Sequence, residues 1–314
     1  MCISGACFKI ESLYPMQTVL TFPANAANQK ALTDTLIATM GLENSMNCND
    51  LNALFQYYYA KDKQQFVEKF EQIRHKVKAL HTSDSLIGWC FSKPFGYAGD
   101  FKLIDRIYLK SISADPDIAA WDSFAQAQPA AQAVRNRKTY FMNLLKSIRH
   151  STVLNLASGP CRDLKEYLES QPSKETLFTC VDLDKNAIAY AKQLLGNQDN
   201  VQFINKNIIA LRLEQCYDLI WSAGLFDYFS DDYFIRVLAR LFKHVNKGGE
   251  IVIGNFSEAN PNRAFMEVAM DWQLNHRSED HLIELALKTG AQRRQIVVKS
   301  EKEGINLFLH IRKE

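Results

Sequence analysis

The chain has 314 residues, 47% of them apolar and 23% charged, with a formal charge of +2. That composition excludes a disordered or collagen-like chain, and a charge balance this even in both halves excludes a dedicated nucleic-acid binder. No apolar run approaches the roughly 18 residues of a spanning helix, the opening MCISGACFKIESLYP lacks the pattern of a secretion signal, and the 7 cysteines form neither a CxxC nor a Cys/His cluster, so a cytoplasmic protein without disulfide framework or structural metal is expected.

Up to about residue 148 the patterning is helical. Phe66, Phe70, Ile73, Val77 and Leu80 step by three and four along one helix stripe, and Val134, Phe141, Leu145 and Ile148 do the same over 130–149. Between them lies SKPFGYAGDFKL, an irregular stretch broken by Pro94, Gly96 and Gly99. From residue 151 the texture alternates. Short β-rich runs occur at 152–156, 177–181, 201–204, 217–221, 250–254, 294–299 and 305–311, with helical patterns in most gaps. Asp184 is placed to cap a helix ending near Gly196. Ser230 is placed to cap one ending before Gly248-Gly249, and Asn260-Pro261 to open another. Strands alternating with helices predict a parallel sheet covered on both faces. The EKEG link between the last two runs is of hairpin length and predicts one antiparallel strand at the end.

Four strand ends carry the candidate chemistry. The first strand runs into Ala157-Ser158-Gly159-Pro160-Cys161, a small-residue turn before a helix, where backbone can approach a ligand. A dinucleotide fingerprint wants a small residue at 162, where Arg162 stands. The alternative spacing with small residues at 157, 159 and 161 resembles the first motif of methyltransferases, which implies a sulfonium cofactor over a pyrophosphate. The second strand ends in Asp182-Leu183-Asp184. Asp184 suits the next helix cap, whereas Asp182 suits the two ribose hydroxyls. After the third strand, Asn207 and Ile208 offer a polar side chain and a backbone amide to an adenine edge. The fourth strand closes with Ser222, Ala223 and Gly224 beside the same crevice.

These motifs resemble the class I S-adenosylmethionine-dependent methyltransferases over about residues 151–314. The resemblance implies a Rossmann-like, seven-stranded α/β sheet at 149–314, a helical cap at 1–148 and S-adenosylmethionine as cofactor. Asn155 stands where that family usually has an acidic residue, and Ala157 and Cys161 replace glycines. A narrower resemblance rests on Phe95-Gly-Tyr-Ala-Gly-Asp100, Ala133-Val-Arg-Asn-Arg137, Gly254-Asn-Phe256, Asn260-Pro261, Arg263, Glu267, Asp271-Trp272 and Arg277. These strings are similar to the bacterial extracellular factor 3-hydroxypalmitic acid methyl ester biosynthesis proteins, which implies methylation of a fatty-acid carboxyl.

Arg137 falls on the apolar face of its helix, where its guanidinium must find an anion or snorkel out to water. That anion is a carboxylate of the cofactor or the substrate, or an acidic residue of the other domain. In the glycine-flanked loop, Tyr97 is a candidate to pack against the sulfonium. Asp100 is a candidate for the cofactor amine, or belongs to an ordinary turn. Arg263, Glu267 and Asp271 repeat every four residues, as a substrate-facing stripe or a solvated one. Tyr228 is a candidate for lining the acceptor pocket.

An acceptor carboxylate is already ionised at neutral pH and needs only a cation to orient it, from Arg137, Arg135 or Arg263. An amine or phenol needs a base, for which Glu267 and Asp271 are candidates. The leading expectation is a small-molecule carboxyl O-methyltransferase. The alternatives are N- or O-methylation of another metabolite, a non-catalytic module that binds the cofactor, and a nicotinamide-dependent enzyme.

Overall fold

A computed structural model describes residues 51–147, 152–170 and 175–314. The first 50 residues, Ile148 at the end of the second helical stripe, and Cys2, Cys7 and Cys48 lie outside that range.

Seven strands form one sheet in the order β3-β2-β1-β4-β5-β7-β6. They are β1 Thr152–Leu156, β2 Leu177–Asp182, β3 Val201–Asn205, β4 Tyr217–Ser222, β5 Val245–Phe256, β6 Ile296–Ser300 and β7 Asn306–Arg312. Strands β1 to β5 pair in parallel, and β7 runs antiparallel to both neighbours. The reversed strand therefore lies inside the sheet rather than at its edge. The hairpin folds β7 back between β5 and β6, and β6 becomes the border.

The chain builds outward from β1 through β2 to β3, then returns to place β4 on the other side of β1. That reversal leaves a crevice between the carboxyl ends of β1 and β4, where open α/β sheets hold ligands.

Each face of the sheet is covered because the strands are apolar on both sides. One face packs under α9 (Asp231–Lys243) and α11 (Glu279–Leu287), with Phe234, Leu238, Leu241, Leu282 and Leu285 fully enclosed. The other packs under α6 (Pro129–Ser147), α7 (Arg162–Ser170) and α8 (Lys185–Leu195). There Phe141 stacks on Trp221 at 4.6 Å and Tyr140 on Phe308 at 3.9 Å.

A third core belongs to the N-terminal helical region. It comprises α1 (Leu51–Lys61), α2 (Lys63–Arg74), α3 (Leu86–Ser92), α4 (Phe101–Tyr108) and α5 (Pro116–Ala127), closed by α10 (Arg263–Ala269) from beyond β5. Phe55 contacts Phe66, Phe70 and Phe265 edge-on at 5.2 to 5.4 Å. Arg74 secures this join by donating to the backbone oxygens of Val268 and Ala269, the otherwise open end of α10. Helix α6 belongs to two cores. Val134 is buried with the helical region and Phe141 with the sheet, and Arg137 falls between them.

Several details differ from the sequence expectation. The stripe from Phe66 to Leu80 is not one helix: α2 ends at Arg74, and a separate 3-10 turn carries Lys78–Leu80. Helix α10 starts at Arg263, because the Asn260 carboxamide oxygen accepts the Asn262 amide at 2.9 Å and closes a local turn first. Ser230 holds the cap position of α9, but its side chain makes no capping bond.

Candidate functional site

The turn after β1 holds Ala157, Gly159 and Cys161 at φ of 49°, 56° and 53°. All three expected small positions therefore adopt left-handed backbone. For Ala157 and Cys161 this costs roughly 1–2 kcal/mol each relative to ordinary backbone. A Cβ built on Gly159 meets nothing within 4 Å, so this part of the turn faces open space. Asp182, at the end of β2, locks the turn. One carboxylate oxygen accepts the Gly159 amide at 2.8 Å and the other the Asp184 amide at 2.9 Å. Burial raises the Asp182 pKa above the ordinary carboxylate value.

A cleft of about 1860 Å³, open to solvent, runs across these strand ends. Its enclosed part, about 710 Å³, lies within the roughly 300–1000 Å³ typical of small-molecule sites. At one end Leu183 and Ile208 face the space with Asn207 and Lys206. Asp184 caps α8 through the Asn186 amide and receives the Tyr97 hydroxyl at 3.4 Å. Burial, reinforced by Asp182 and Asp184, raises the Tyr97 pKa and keeps its phenol protonated.

Beyond the turn lie Asn155, Ser158, Asp163, Arg137 and Tyr108. Arg137 is 6% exposed, yet its Nε has no hydrogen-bond partner and no carboxylate lies within ion-pair distance. The alternative of an ion pair with an acidic residue of the other domain is absent among the described residues. Asn155 Nδ2 and Ser158 Oγ are also buried without partners. Buried polar atoms are normally satisfied, and of the described residues with unsatisfied ones only Asn306 lies away from this cleft. Such a donor set fits a polar ligand with anionic and hydroxyl groups, as S-adenosylmethionine is. Asp163 is buried, accepts only the adjacent Leu164 amide, and is pushed up to about 6 by burial.

Tyr228, Phe229, Leu225, Phe95 and Ile104 form the remaining wall. The Tyr228 hydroxyl accepts the Trp272 indole N–H at 2.9 Å, and burial raises its pKa. Gly99 passes this pair so closely that a Cβ there would lie 2.7 Å from the Trp272 ring and from Tyr228 Oη.

Of the expected site residues, Tyr97, Arg137, Ala157, Ser158, Gly159, Asp182, Leu183, Asn207, Ile208, Ala223 and Tyr228 line the cleft. Four do not. Asp100 is fully buried as the cap of α4, accepting the Leu103 amide at 2.8 Å and the Trp89 indole at 2.9 Å. The Ser222 hydroxyl is enclosed and donates to the Leu156 carbonyl. Arg263 and Glu267 pair with each other at 2.8 Å on a separate face, where Lys63 and Tyr59 also reach Glu267. Asp271 lies beyond α10 and pairs with Lys93, and Arg135 is held by Gln126 and Gln132. Sequence reasoning gave no role to Asp163 or Tyr108. An acid in a helix's first turn looks like ordinary dipole compensation, and only the fold brings it to face α6.

Residues 153–249 match a family model described as a methyltransferase domain. No curated protein matches the chain. Among solved structures, a possible exported protein from Bordetella parapertussis is 14% identical with a TM-score of 0.60, covering 92% of this chain and 97% of that one. The S-adenosylmethionine-dependent methyltransferase SibL in its apo form is 14% identical with a TM-score of 0.51, covering 83% of this chain and 73% of that one. At these identities the likeness establishes the shared fold. Among the described residues no cluster suits a metal ion, and no helix is long and apolar enough to cross a membrane.

Proposed function

We propose that this S-adenosylmethionine-dependent methyltransferase esterifies the carboxyl group of a hydroxy fatty acid or a similar small acid. The cofactor supplies a sulfonium-activated methyl group. The protein's own part is to hold the two reactants in line and exclude water, which is worth about 7–11 kcal/mol in favourable cases. In this reading a helical cap, residues 1–148, covers a methyltransferase domain, residues 149–314. Asp182 takes the ribose hydroxyls. Leu183 and Ile208 flank the adenine, and Asn207 reads its edge. Ala157, Ser158 and Gly159 offer close backbone, with Ala223 behind them. The Tyr97 ring faces the sulfonium.

The observation that carries the acceptor class is the makeup of the remaining wall. Tyr228, Phe229, Leu225, Phe95 and Ile104 are aromatic or aliphatic, and no histidine is among the lining residues. Tyr228, with its raised pKa, is a hydrogen-bond donor rather than a base. Its oxygen is engaged by Trp272, which leaves its proton to orient an acceptor oxygen. A carboxylate needs orientation and no proton removal. The resemblance of the loop and helix strings to the 3-hydroxypalmitic acid methyl ester family agrees with an acyl acceptor.

Incubating the protein with methyl-labelled cofactor and a panel of fatty acids, 3-hydroxy fatty acids, amines and phenols tests this. The expected product is a base-labile label on the acids. A base-stable label on an amine or phenol would move the reading to N- or phenol O-methylation. Bound but untransferred cofactor would make the chain a binding module.

A further inference from the structure

The cleft and the core of the helical region are separated by one layer of side chains. Helix α4 turns Ile104 and Tyr108 to the cleft, and Leu103 and Ile107 to a small cavity inside that core. Helix α6 likewise has Arg137 on the cleft and Val134 on the cavity. The cavity measures about 30 Å³, every residue lining it is buried, and all but Gln128 and Asn262 are apolar. Those two amides are engaged with each other, with the Phe124 carbonyl and with the Ala130 amide, so they leave no polar atom for water. An apolar void of this kind stays dry. Protein cores are normally packed without such gaps, and this one lies directly behind the acceptor wall.

Trp272 stands between the two spaces. Its ring lines the cavity. On its other side the indole N–H donates to the Tyr228 hydroxyl at 2.9 Å, and a Cβ built on Gly99 would lie 2.7 Å from Cζ2. Tyr228 and Gly99 both line the cleft. At Gly99 no side chain intervenes, so the partition there is glycine backbone backed by the indole. The main chain fixes the ring in place. The Trp272 amide donates to the Met266 carbonyl at 2.9 Å, and the preceding Asp271 takes left-handed backbone at φ 46° and pairs with Lys93, just past α3. Beside the ring, Met266 and Met270 line the cavity with unbranched side chains that re-pack easily.

We propose that Trp272 sets the length of the acceptor. Its indole ends the apolar part of the acceptor pocket, and the cavity behind it is the space a longer tail enters once the ring is trimmed. Trp272 touches no reacting atom and acts on specificity alone. The inference rests on the reading of the acceptor as an acyl chain, although the boundary itself is one of shape.

Trp272→Ala tests it, with methyl-labelled cofactor and 3-hydroxy fatty acids of increasing length. For acids two carbons beyond the intact protein's optimum, kcat/KM relative to that of the optimum should rise about tenfold or more, the worth of a methylene seated in an apolar pocket. Adding Val134→Phe to Trp272→Ala refills the cavity and should return the optimum to the shorter acid, which a general loss of stability would not do. Calorimetric affinity for the demethylated cofactor, S-adenosylhomocysteine, should stay within about twofold and shows that each variant is folded. Where Trp272→Ala does not fold, Trp272→Leu is read in the same way. A second readout is independent of the acceptor's head group. Straight-chain alcohols titrated into the S-adenosylhomocysteine complex should gain affinity with length up to a limit, and the limit should move to longer chains in the variant. An unmoved limit for the alcohols, or for the acids where these are methylated, would overturn the proposal. A limit that moves for the alcohols while the intact protein methylates no acid would leave Trp272 as the boundary and remove the carboxyl reading.

Discussion

Two polar clusters of this molecule have the same ingredients and opposite states of completion. On the outer face of α10, the buried Glu267 carboxylate receives Arg263, Lys63 and the Tyr59 hydroxyl, so every charge has a partner within the fold. In the cleft, Arg137, Asp163, Asn155 and Ser158 are as deeply buried, yet Arg137 Nε, Asn155 Nδ2 and Ser158 Oγ have no partner, and neither Arg137 nor Asp163 forms an ion pair. The first cluster ties α1 and α2 to α10 and is structural. The second lies between the core of the helical region and that of the sheet, where Asp163 and Asp227 face Arg137 without forming an ion pair with it. A binding site is recognised here by what its neighbours leave unsatisfied, more than by how many charges gather.

Substitutions should separate the clusters in kind as well as size. The largest effect is expected for Asp182→Ala, which removes the proposed ribose acceptor and the anchor of the Gly159 and Asp184 amides. Affinity for S-adenosylhomocysteine and methylthioadenosine should fall together by about 100-fold, on the order of 3 kcal/mol for a charged, multiply bonded group. Unchanged affinity would contradict the assignment of that end of the cleft.

The pH dependence of binding comes next. Asp163 titrates near 6 in the free protein. It faces Arg137 and Lys138 from α6, Tyr108 from α4, and Glu166 on its own helix. The ammonium of a cofactor whose amino-acid end lies beside it favours the ionised form, so below pH 6 binding must first expel a proton. Affinity for S-adenosylhomocysteine should therefore weaken by about fivefold from pH 6 to 5 and level off above 7. Methylthioadenosine, which has no amino-acid end, should lack this component, and Asp163→Asn should abolish it. Calorimetry across that range checks the sign.

Glu267→Gln should act on stability alone. Its cationic partners are half-exposed and can turn to water, so denaturant unfolding should show a loss of about 1–2 kcal/mol with nucleoside affinity unchanged. A loss of affinity instead would return α10 to the binding machinery. The smallest effect is expected for Ala157→Gly, which relieves left-handed backbone and should stabilise by at most about 1 kcal/mol in the same assay.

Much of the sheet was legible because its strands are short apolar runs bounded by turn chemistry, and Asp182 was legible as an acid at a strand end without a capping role. Arg137 was legible because helical spacing put a guanidinium among apolar side chains. Asp100 misled because a cap and a ligand carboxylate look alike in sequence, and only the Trp89 and Leu103 bonds identify it as a cap. Arg263 and Glu267 misled because a periodic charge stripe does not reveal that it pairs with itself. Asp163 and Tyr108 carried no signal, since their importance comes from α4, α6 and α7 meeting at one seam.

A crystal structure with S-adenosylhomocysteine tests the account most directly. The ribose hydroxyls should lie about 2.7–3.2 Å from Asp182, with the amino-acid end reaching Arg137 and Asp163. A nucleoside bound outside the strand ends, or in the reverse direction with its base toward Arg137, would contradict it.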